Sequence, residues 1–171
     1  LTYPADYSSE TPVVLLVSGS GPQNRDEEVY AHKPFLVIAD HLARNGIASL
    51  RYDDRSLGKS TGNAVGATTE TFKKDALAGM EFLRSLDKFS KIGLAGHSEG
   101  GTIAFLLAGE GKTDFIISLA GTATDGATVL VEQNRKILKG NGIPESAVDD
   151  YCEVLAKLYA DPDMTAEDLG K

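Results

Sequence analysis

The residues best suited to chemistry lie in the stretch "KIGLAGHSEGG", which runs from residue 91 to residue 101. Gly96, Ser98 and Gly100 fit the pattern Gly-x-Ser-x-Gly, in which a tight turn between a strand and a helix lifts a serine hydroxyl to the edge of a sheet. A short apolar segment precedes this turn and a helix-forming segment follows it. We therefore interpret Ser98 as a nucleophile that attacks a carbonyl carbon. The alternative is a serine that only caps the following helix.

A serine nucleophile also needs N–H donors for the negative oxygen of its tetrahedral intermediate. The backbone N–H of Glu99 occupies the position that supplies one such donor in this type of turn. We expect the second donor in "SGSGP", residues 18–22, which follows an apolar strand segment. The backbone N–H of Ser20 is the expected donor, and that of Gly21 is the alternative. The glycines could instead serve only a tight turn.

Three side chains close to these turns are candidate pocket residues: His97, Gln23 and Asn24. His97 is expected to form either a wall of the acyl pocket or a hydrogen-bonding support. The charged run "NRDEE", residues 24–28, either lines the cleft or anchors the loop through salt bridges.

A second loop, "YDDRSLGKSTG" at residues 52–62, carries Asp54 and Arg55, which we expect to brace neighbouring loops rather than to react. Residues 58–60 are similar to the end of a phosphate-binding loop, but Asp53 stands where that motif requires its first glycine. The dinucleotide fingerprint is also incomplete in the turn at 18–22. We therefore predict no cofactor and no metal.

These residues can meet only if the fold brings their turns to one edge of a sheet. Apolar segments at residues 13–18, 47–53, 91–96 and 114–121 predict strands, and helical periodicity between them predicts crossovers. The sequence thus indicates an α/β three-layer sandwich with a mostly parallel sheet. We expect helices to begin at Pro34 and at Thr68 or Thr69. A further helix, residues 101–109, is apolar all round and is therefore expected to be buried.

The sequence changes character after Gly121. Residues 127–139 and 145–160 predict two amphipathic helices with no strand between them, and Thr165 marks a possible start of a third. We interpret residues 1–121 as one domain and residues 122–171 as a helical insertion.

The overall composition narrows the kind of partner. The chain has 171 residues, of which 42% are hydrophobic and 25% charged, and its formal charge is -8. Such an acidic chain argues against nucleic acid and against an anionic membrane, so we expect a small-molecule partner. No apolar run approaches the roughly 20 residues of a membrane span.

The single cysteine, Cys152, excludes an intrachain disulfide, and we expect it half-buried on a helix. Leu1 in place of Met leads us to expect a missing N-terminus, which leaves a cytoplasmic and a secreted or periplasmic location open.

Three strings together resemble one known family: "LLVSGSGPQNRDE", "HKPFLVIADHLARNGIASLRYDDRSLGKSTG" and "KIGLAGHSEGG". They are similar to the α/β-hydrolase superfamily, specifically to bacterial serine esterases of the dienelactone-hydrolase-like kind that carry a lid. The resemblance covers residues 1–121, and residues 122–171 are similar to the start of the helical lid. It implies an incomplete core of about five strands and cleavage of carboxylic esters through an acyl-enzyme on Ser98.

The resemblance also implies where the other triad residues belong. In this superfamily the acid and then the histidine follow the nucleophile, here beyond the lid. His32, His41 and His97 do not stand at the position of the base, and Asp125 follows its strand too closely to be the acid. We therefore expect the chain to be a fragment without triad acid and His, and residues 1–171 alone to have little or no turnover.

Other functions remain open on the sequence. A thioesterase or an acyl-peptidase would use the same turn, and a non-catalytic binding module could keep the fold without the reaction. A protein-interaction scaffold that docks through the helices after Gly121 is a further alternative. The oligomeric state is also open.

Overall fold

Four parallel strands form the sheet that carries the candidate residues. The structure, a computed structural model, describes residues 1–161 and 163–165. The strands are β1 (Val13–Val17), β2 (Ala48–Leu50), β3 (Ile92–His97) and β4 (Phe115–Leu119). Their order across the sheet is β2-β1-β3-β4, so β1 and β3 are the central pair. In the sheet register Val17 pairs with Gly96, and Gly96 pairs with Ser118. The carboxyl ends of these three strands therefore lie side by side.

Helices cover both faces of this sheet. They are α1 (Pro34–Arg44), α2 (Thr69–Ser85) and α3 (Glu99–Gly109). All five residues of β1 are buried, and successive side chains point to opposite faces, because strand residues alternate. Val13, Leu15 and Val17 share a buried cluster with residues of α2 and α3, whereas Val14 and Leu16 share one with residues of α1. The predicted α/β three-layer sandwich with a parallel sheet is confirmed.

Local sequence explains where the first two helices begin. Pro34 occupies the first turn of α1, where its missing N–H costs no hydrogen bond. Thr68 caps α2 through a reciprocal pair with Thr71, so the side chain of each residue bonds the backbone N–H of the other. Both starts agree with the sequence predictions.

The strands differ from the predictions in number and in length. The described residues hold four strands rather than about five, together with two isolated antiparallel bridges, Thr2 with Ser49 and Val29 with His32. β2 is shorter than the predicted segment 47–53 and ends at Leu50. The residues after it, Arg51 and Asp53, form side-chain ion pairs with the loop after β1.

The prediction that the helix after Ser98 is buried all round is wrong. Phe105 is 39% exposed and Leu106 is 42% exposed, while Ile103, Ala104 and Leu107 are buried. α3 therefore buries one face only, the face that packs on the sheet and on α2. It also begins at Glu99, two residues earlier than predicted.

The chain divides into two compact units, Leu1–Gly121 and Thr122–Lys171. The second contains two helices, α4 (Gly126–Gly140) and α5 (Glu145–Ala160), which are in contact with each other. Cys152 is fully buried on α5 rather than half-buried, and its Sγ lies 3.8 Å from the carbonyl oxygen of Val131. The possible third helix after Thr165 lies outside the described residues. In the part of the chain that is described, none of the helices combines the length and apolar character needed to cross a bilayer.

Candidate active site

Ser98 stands at a sharp corner between β3 and α3. Its backbone has φ 51° and ψ -115°, a conformation that residues with a side chain rarely adopt and that is typical of strained functional sites. The Ser98 N–H donates to the carbonyl oxygen of Leu119 at 2.9 Å, which ties the corner to β4. Within residues 1–161 and 163–165 the Ser98 side chain makes no capping hydrogen bond to α3. The half-buried serine therefore does not serve as a helix cap here.

The glycines beside Ser98 lie where backbone atoms leave no room for a side chain. A Cβ at Gly96 would lie 1.9 Å from the carbonyl oxygen of Gly100. A Cβ at Gly100 would lie 2.2 Å from the carbonyl oxygen of Val17. Both distances are far below contact, so the corner can form at this place only with glycine on either side of it.

Two sites near Ser98 have backbone N–H groups without an acceptor in the described part of the chain. One belongs to Glu99, the first residue of α3, where the helix dipole also favours negative charge. The other belongs to Ser20, and the N–H of its neighbour Gly21 is equally unengaged. The turn that contains Ser20 and Gly21 lies beside the corner. A Cβ at Gly19, which directly precedes Ser20, would lie only 3.2 Å from the Cβ of Ser98.

Gly19 itself differs from its neighbours in this turn. Its N–H donates to Oε1 of Glu27 at 2.8 Å, so it is already engaged. The same Oε1 lies 2.7 Å from Nδ1 of His97. His97 was expected to be either a wall of the acyl pocket or a hydrogen-bonding support. Its contact with Glu27 agrees with the role of a support.

The charged run at residues 24–28 is an anchor. Arg25 binds both carboxylate oxygens of Asp53, at 3.1 and 2.6 Å, and these hydrogen bonds lower the pKa of Asp53 below its ordinary value. Asp26 pairs with Arg51 in the same region. Both ion pairs join the loop after β1 to the residues after β2, and so they fix the loop on the sheet edge.

The other two pocket candidates have different surroundings. The Asn24 side-chain oxygen accepts the N–H groups of Asp26 and Glu28, at 3.0 and 3.2 Å, so this side chain shapes its own loop. Gln23 is half-buried, and its backbone N–H donates to Oδ2 of Asp54 at 2.9 Å.

Asp54 and Arg55 brace loops, as the sequence predicts. Asp54 is buried; besides the Gln23 N–H it faces the Ser18 hydroxyl at 3.4 Å. Burial raises the pKa of Asp54, and these two hydrogen bonds oppose the rise in part. Arg55 forms two hydrogen bonds with Asp75 of α2, at 2.8 and 2.7 Å.

No histidine among residues 1–161 and 163–165 hydrogen-bonds the Ser98 hydroxyl. His97 faces Glu27, His41 lies exposed on α1 beside Asn45, and His32 lies in an exposed turn. Asp125 caps α4 by accepting the N–H groups of Ala127 and Thr128 at 3.1 and 3.0 Å. A hydrogen bond from the Thr128 hydroxyl is the main cause of its lowered pKa. Within the same residues, no cluster of three or more His, Cys, Asp or Glu residues could hold a metal ion.

Sequence reasoning missed one residue of this site, Glu27. It was included only as a member of a charged run, because nothing in the local pattern distinguishes it from Glu28. Its partner His97 is 70 positions away in the chain. Only the pairing of β1 with β3 brings the two residues together.

Comparison with known proteins agrees with this architecture. Residues 31–167 match the family model described as serine aminopeptidase, S33. The chain is 33% identical over 155 residues to the esterase EstD of Thermotoga maritima, an alignment that includes 88% of this chain and 36% of that protein. The chain therefore spans about a third of the length of this relative.

Solved structures show the same fold. The esterase Pf2001 of Pyrococcus furiosus has a TM-score of 0.62 at 20% identity, over 91% of this chain and 55% of that one. XC6422 of Xanthomonas campestris, described as an α/β serine hydrolase without a lid, has a TM-score of 0.56 at 24% identity, over 72% of this chain and 56% of that one.

Proposed function

Given that this chain belongs to the serine aminopeptidase S33 family of α/β-hydrolases, we propose that the protein cleaves carboxylic esters through an acyl-enzyme on Ser98. The observation that carries the proposal is the corner at Ser98, which is strained and half-exposed and has beside it the N–H groups of Glu99 and Ser20, for which the described residues provide no acceptor. Strain of this kind persists where the surrounding structure enforces it, and it is concentrated at catalytic positions. The name of the Thermotoga relative, an esterase, supports the choice of ester.

The reaction begins with attack of Ser98 Oγ on the ester carbonyl carbon. The C–O double bond becomes a single bond, and the resulting oxyanion is held by the N–H groups of Glu99 and of Ser20, or of Gly21 in place of Ser20. Collapse of this intermediate breaks the bond to the alkoxy group, which leaves as the alcohol with the proton from Ser98. Water then attacks the acyl group and releases the carboxylic acid. In this family a histidine, oriented by an acid, carries the proton in both steps.

The N–H donors account for much of the expected rate. Each removed oxyanion donor costs about 100- to 1,000-fold in kcat in comparable serine hydrolases. Glu99 contributes through its backbone alone, since its side chain is engaged with the hydroxyl of Thr69 at 2.6 Å. The small-molecule ester substrate is part of the proposal, as is the pocket formed near His97, Gln23 and Asn24.

The first experiment tests the nucleophile in the full-length protein. We expect Ser98→Ala to abolish both hydrolysis of nitrophenyl esters and labelling by a fluorophosphonate probe, because no hydroxyl remains to attack. Ser85→Ala is the matched control. It removes a serine hydroxyl from the exposed end of α2, where that hydroxyl only donates to the carbonyl oxygen of Phe82, and so it should retain both activities. Labelling or hydrolysis that survives in Ser98→Ala would exclude this serine as the nucleophile.

A second candidate reaction follows from the description of the family. The name serine aminopeptidase favours amide cleavage by the same serine, and a thioesterase would also use the same oxyanion donors. A panel of nitrophenyl esters, acyl-thioesters and aminoacyl amides separates these reactions by kcat/KM. No turnover of any of them, in a protein whose Ser98 also resists the probe, would favour a non-catalytic binding module or an interaction scaffold.

A further inference from the structure

We propose that Glu27 is a positioning residue, which holds the oxyanion turn against the corner that carries the nucleophile. The proposal rests on the proposed function, because it assigns to Glu27 an effect on the reaction at Ser98. Glu27 touches none of the reacting atoms in this role. It acts through Gly19 and His97.

One carboxylate oxygen bridges the two turns. Oε1 of Glu27 lies 2.8 Å from the Gly19 nitrogen and 2.7 Å from Nδ1 of His97. Gly19 directly precedes Ser20, and His97 directly precedes Ser98. A carboxylate only accepts hydrogen bonds, so Gly19 and His97 both donate to it. The residues before the proposed oxyanion donor and before the proposed nucleophile are thus fixed by the same atom.

The position of this oxygen is itself well determined. Glu27 is 5% exposed, and its backbone has φ 50°, a region in which a residue with a side chain must be held by its surroundings. Its N–H donates to the carbonyl oxygen of Asn24 at 2.9 Å. The adjacent ion pairs of Arg25 with Asp53 and of Asp26 with Arg51 attach the same loop to the residues after β2. The bridge therefore starts from a rigid support.

The bridge through Glu27 restrains the turn at Gly19, directly before the Ser20 N–H. Only the φ and ψ angles of Gly19 separate its anchored N–H from the Ser20 N–H, and a glycine leaves both angles unusually free. On the far side of the turn, Oδ2 of Asp54 holds the Gln23 N–H at 2.9 Å. The turn is thus held at both ends, and Glu27 holds the end that lies beside Ser98.

This position predicts a specific kinetic signature. An oxyanion donor acts more strongly in the transition state than on the bound ester, so displacing it lowers kcat much more than it raises KM. A general loss of folding would instead lower the amount of active enzyme, and loss of a substrate contact would raise KM.

Four variants of the full-length protein separate these cases. Glu27→Ala removes the bridge, and Glu27→Asp keeps the charge but withdraws the oxygen by one methylene. Glu27→Gln keeps an oxygen that can accept both hydrogen bonds while losing the charge. Glu28→Ala is the matched control, since it removes a neighbouring carboxylate whose ion-pair partner is Lys33.

We expect Glu27→Ala and Glu27→Asp to lower kcat about 100-fold, the size of a lost oxyanion donor, with KM changed by less than about threefold. Glu27→Gln should restore kcat to within about tenfold of the parent, and Glu28→Ala should match the parent. The fluorophosphonate labelling rate should follow the same order. If Glu27→Ala does not fold, the proposal is tested by comparing kcat of Glu27→Asp with kcat of Glu27→Gln, provided that both are folded.

Three results would overturn the proposal: a parental kcat in Glu27→Ala or Glu27→Asp, a loss confined to KM, or a Gln variant as impaired as the Asp variant. Ser98→Ala, assayed in parallel, separates the two proposals. If Ser98→Ala is inactive while the Glu27 variants match the parent, only the role of Glu27 is wrong. If Ser98→Ala still turns over, the proposed function is wrong.

Discussion

At the scale of the residue, the backbone around Ser98 is so crowded that one added methyl group should change stability and activity. The carbonyl oxygen of Val17 lies 2.2 Å from the place where a Cβ of Gly100 would be. Around Gly109, at the other end of α3, the described residues place no atom within 4 Å of the Cβ position, apart from its chain neighbours and the backbone of its own helix. The same substitution in the same helix should therefore have opposite effects at the two positions.

We expect Gly100→Ala to lower the free energy of unfolding by about 1–3 kcal/mol, because the new methyl group forces β1 and α3 apart. The displaced corner should also slow fluorophosphonate labelling of Ser98. Gly109→Ala should leave labelling unchanged and should keep or slightly raise the stability, since alanine is the better helix former. Denaturant unfolding of both variants measures the difference. Equal stability of the two variants would contradict the crowding seen at Gly100.

Single residues were predictable from sequence where their neighbours in space are also neighbours in the chain. The strand, corner and helix around Ser98 form one continuous stretch, so its pattern could be read locally. The role of Glu27 could not, because its contacts with Gly19 and His97 depend on the pairing of two separate strands. The roles of Asn24 and of the charged run at 24–28 were left open for the same reason.

At the scale of the element, two consecutive carboxylates after β2 have opposite electrostatic surroundings. Asp53 and Asp54 follow an extended segment, in which successive side chains point to opposite sides. Arg25 lowers the pKa of Asp53, whereas burial raises that of Asp54. The two residues should therefore make the stability depend on pH in opposite ways.

For Asp54, the folded state binds the proton more tightly than the unfolded state, so its stabilising contribution is fully present below its ordinary pKa of 3.8. That contribution is lost as the pH rises through the folded pKa. Asp54→Asn cannot ionise and keeps an oxygen for the Gln23 N–H. We expect its free energy of unfolding, relative to the parent, to increase over this pH interval and then to level off. Denaturant titrations at a series of pH values measure this difference.

Asp53→Asn is the control with the opposite sign. The pKa of Asp53 is lowered in the fold, so its contribution is present above 3.8 and is lost as the pH falls through the folded pKa. Asp53→Asn should be less stable than the parent at neutral pH, and the difference should disappear on acidification. If the stability of both variants relative to the parent changed with pH in the same direction, the two carboxylates would not have opposite electrostatic surroundings.

Most helices and strands could be predicted from the sequence, but the residues at which they begin and end could be predicted less well. Hydrophobic periodicity predicts a helix or a strand because it shows which side chains share a buried face. It could not show that β2 stops at Leu50 or that the residues after it pair with another loop. Nor could it show that one apolar side of α3, with Phe105 and Leu106, is left exposed.

At the scale of the whole molecule, the proposed reaction needs a base that the described residues do not bring to Ser98. His97 is the histidine next to it in sequence, yet its Nδ1 faces Glu27 and no hydrogen bond joins it to the Ser98 hydroxyl within residues 1–161 and 163–165. A serine hydroxyl without a base is a poor nucleophile.

We therefore expect the 171-residue chain by itself to hydrolyse nitrophenyl esters at or near the background rate. The corresponding full-length protein should turn them over in a reaction that Ser98→Ala abolishes. Initial rates at equal concentrations of the two proteins, each confirmed as folded by circular dichroism, provide the comparison. Turnover by the short chain that depends on Ser98 would instead place a functional base within it, and His97→Ala would then test the nearest candidate.

The turn between Gly19 and Gln23 has a consequence for how such an enzyme can diversify. Its middle residues, Ser20, Gly21 and Pro22, are exposed, while the amides at its two ends are pinned by carboxylates. New side chains at positions 20 and 22 would alter the rim that an incoming substrate meets without breaking these hydrogen bonds. Gly21 is different, because its φ of 88° strains any residue with a side chain. A mutagenesis library at residues 20 and 22 is therefore the direct way to seek altered substrate preference. It should omit proline at position 20, because proline would remove the N–H of that residue.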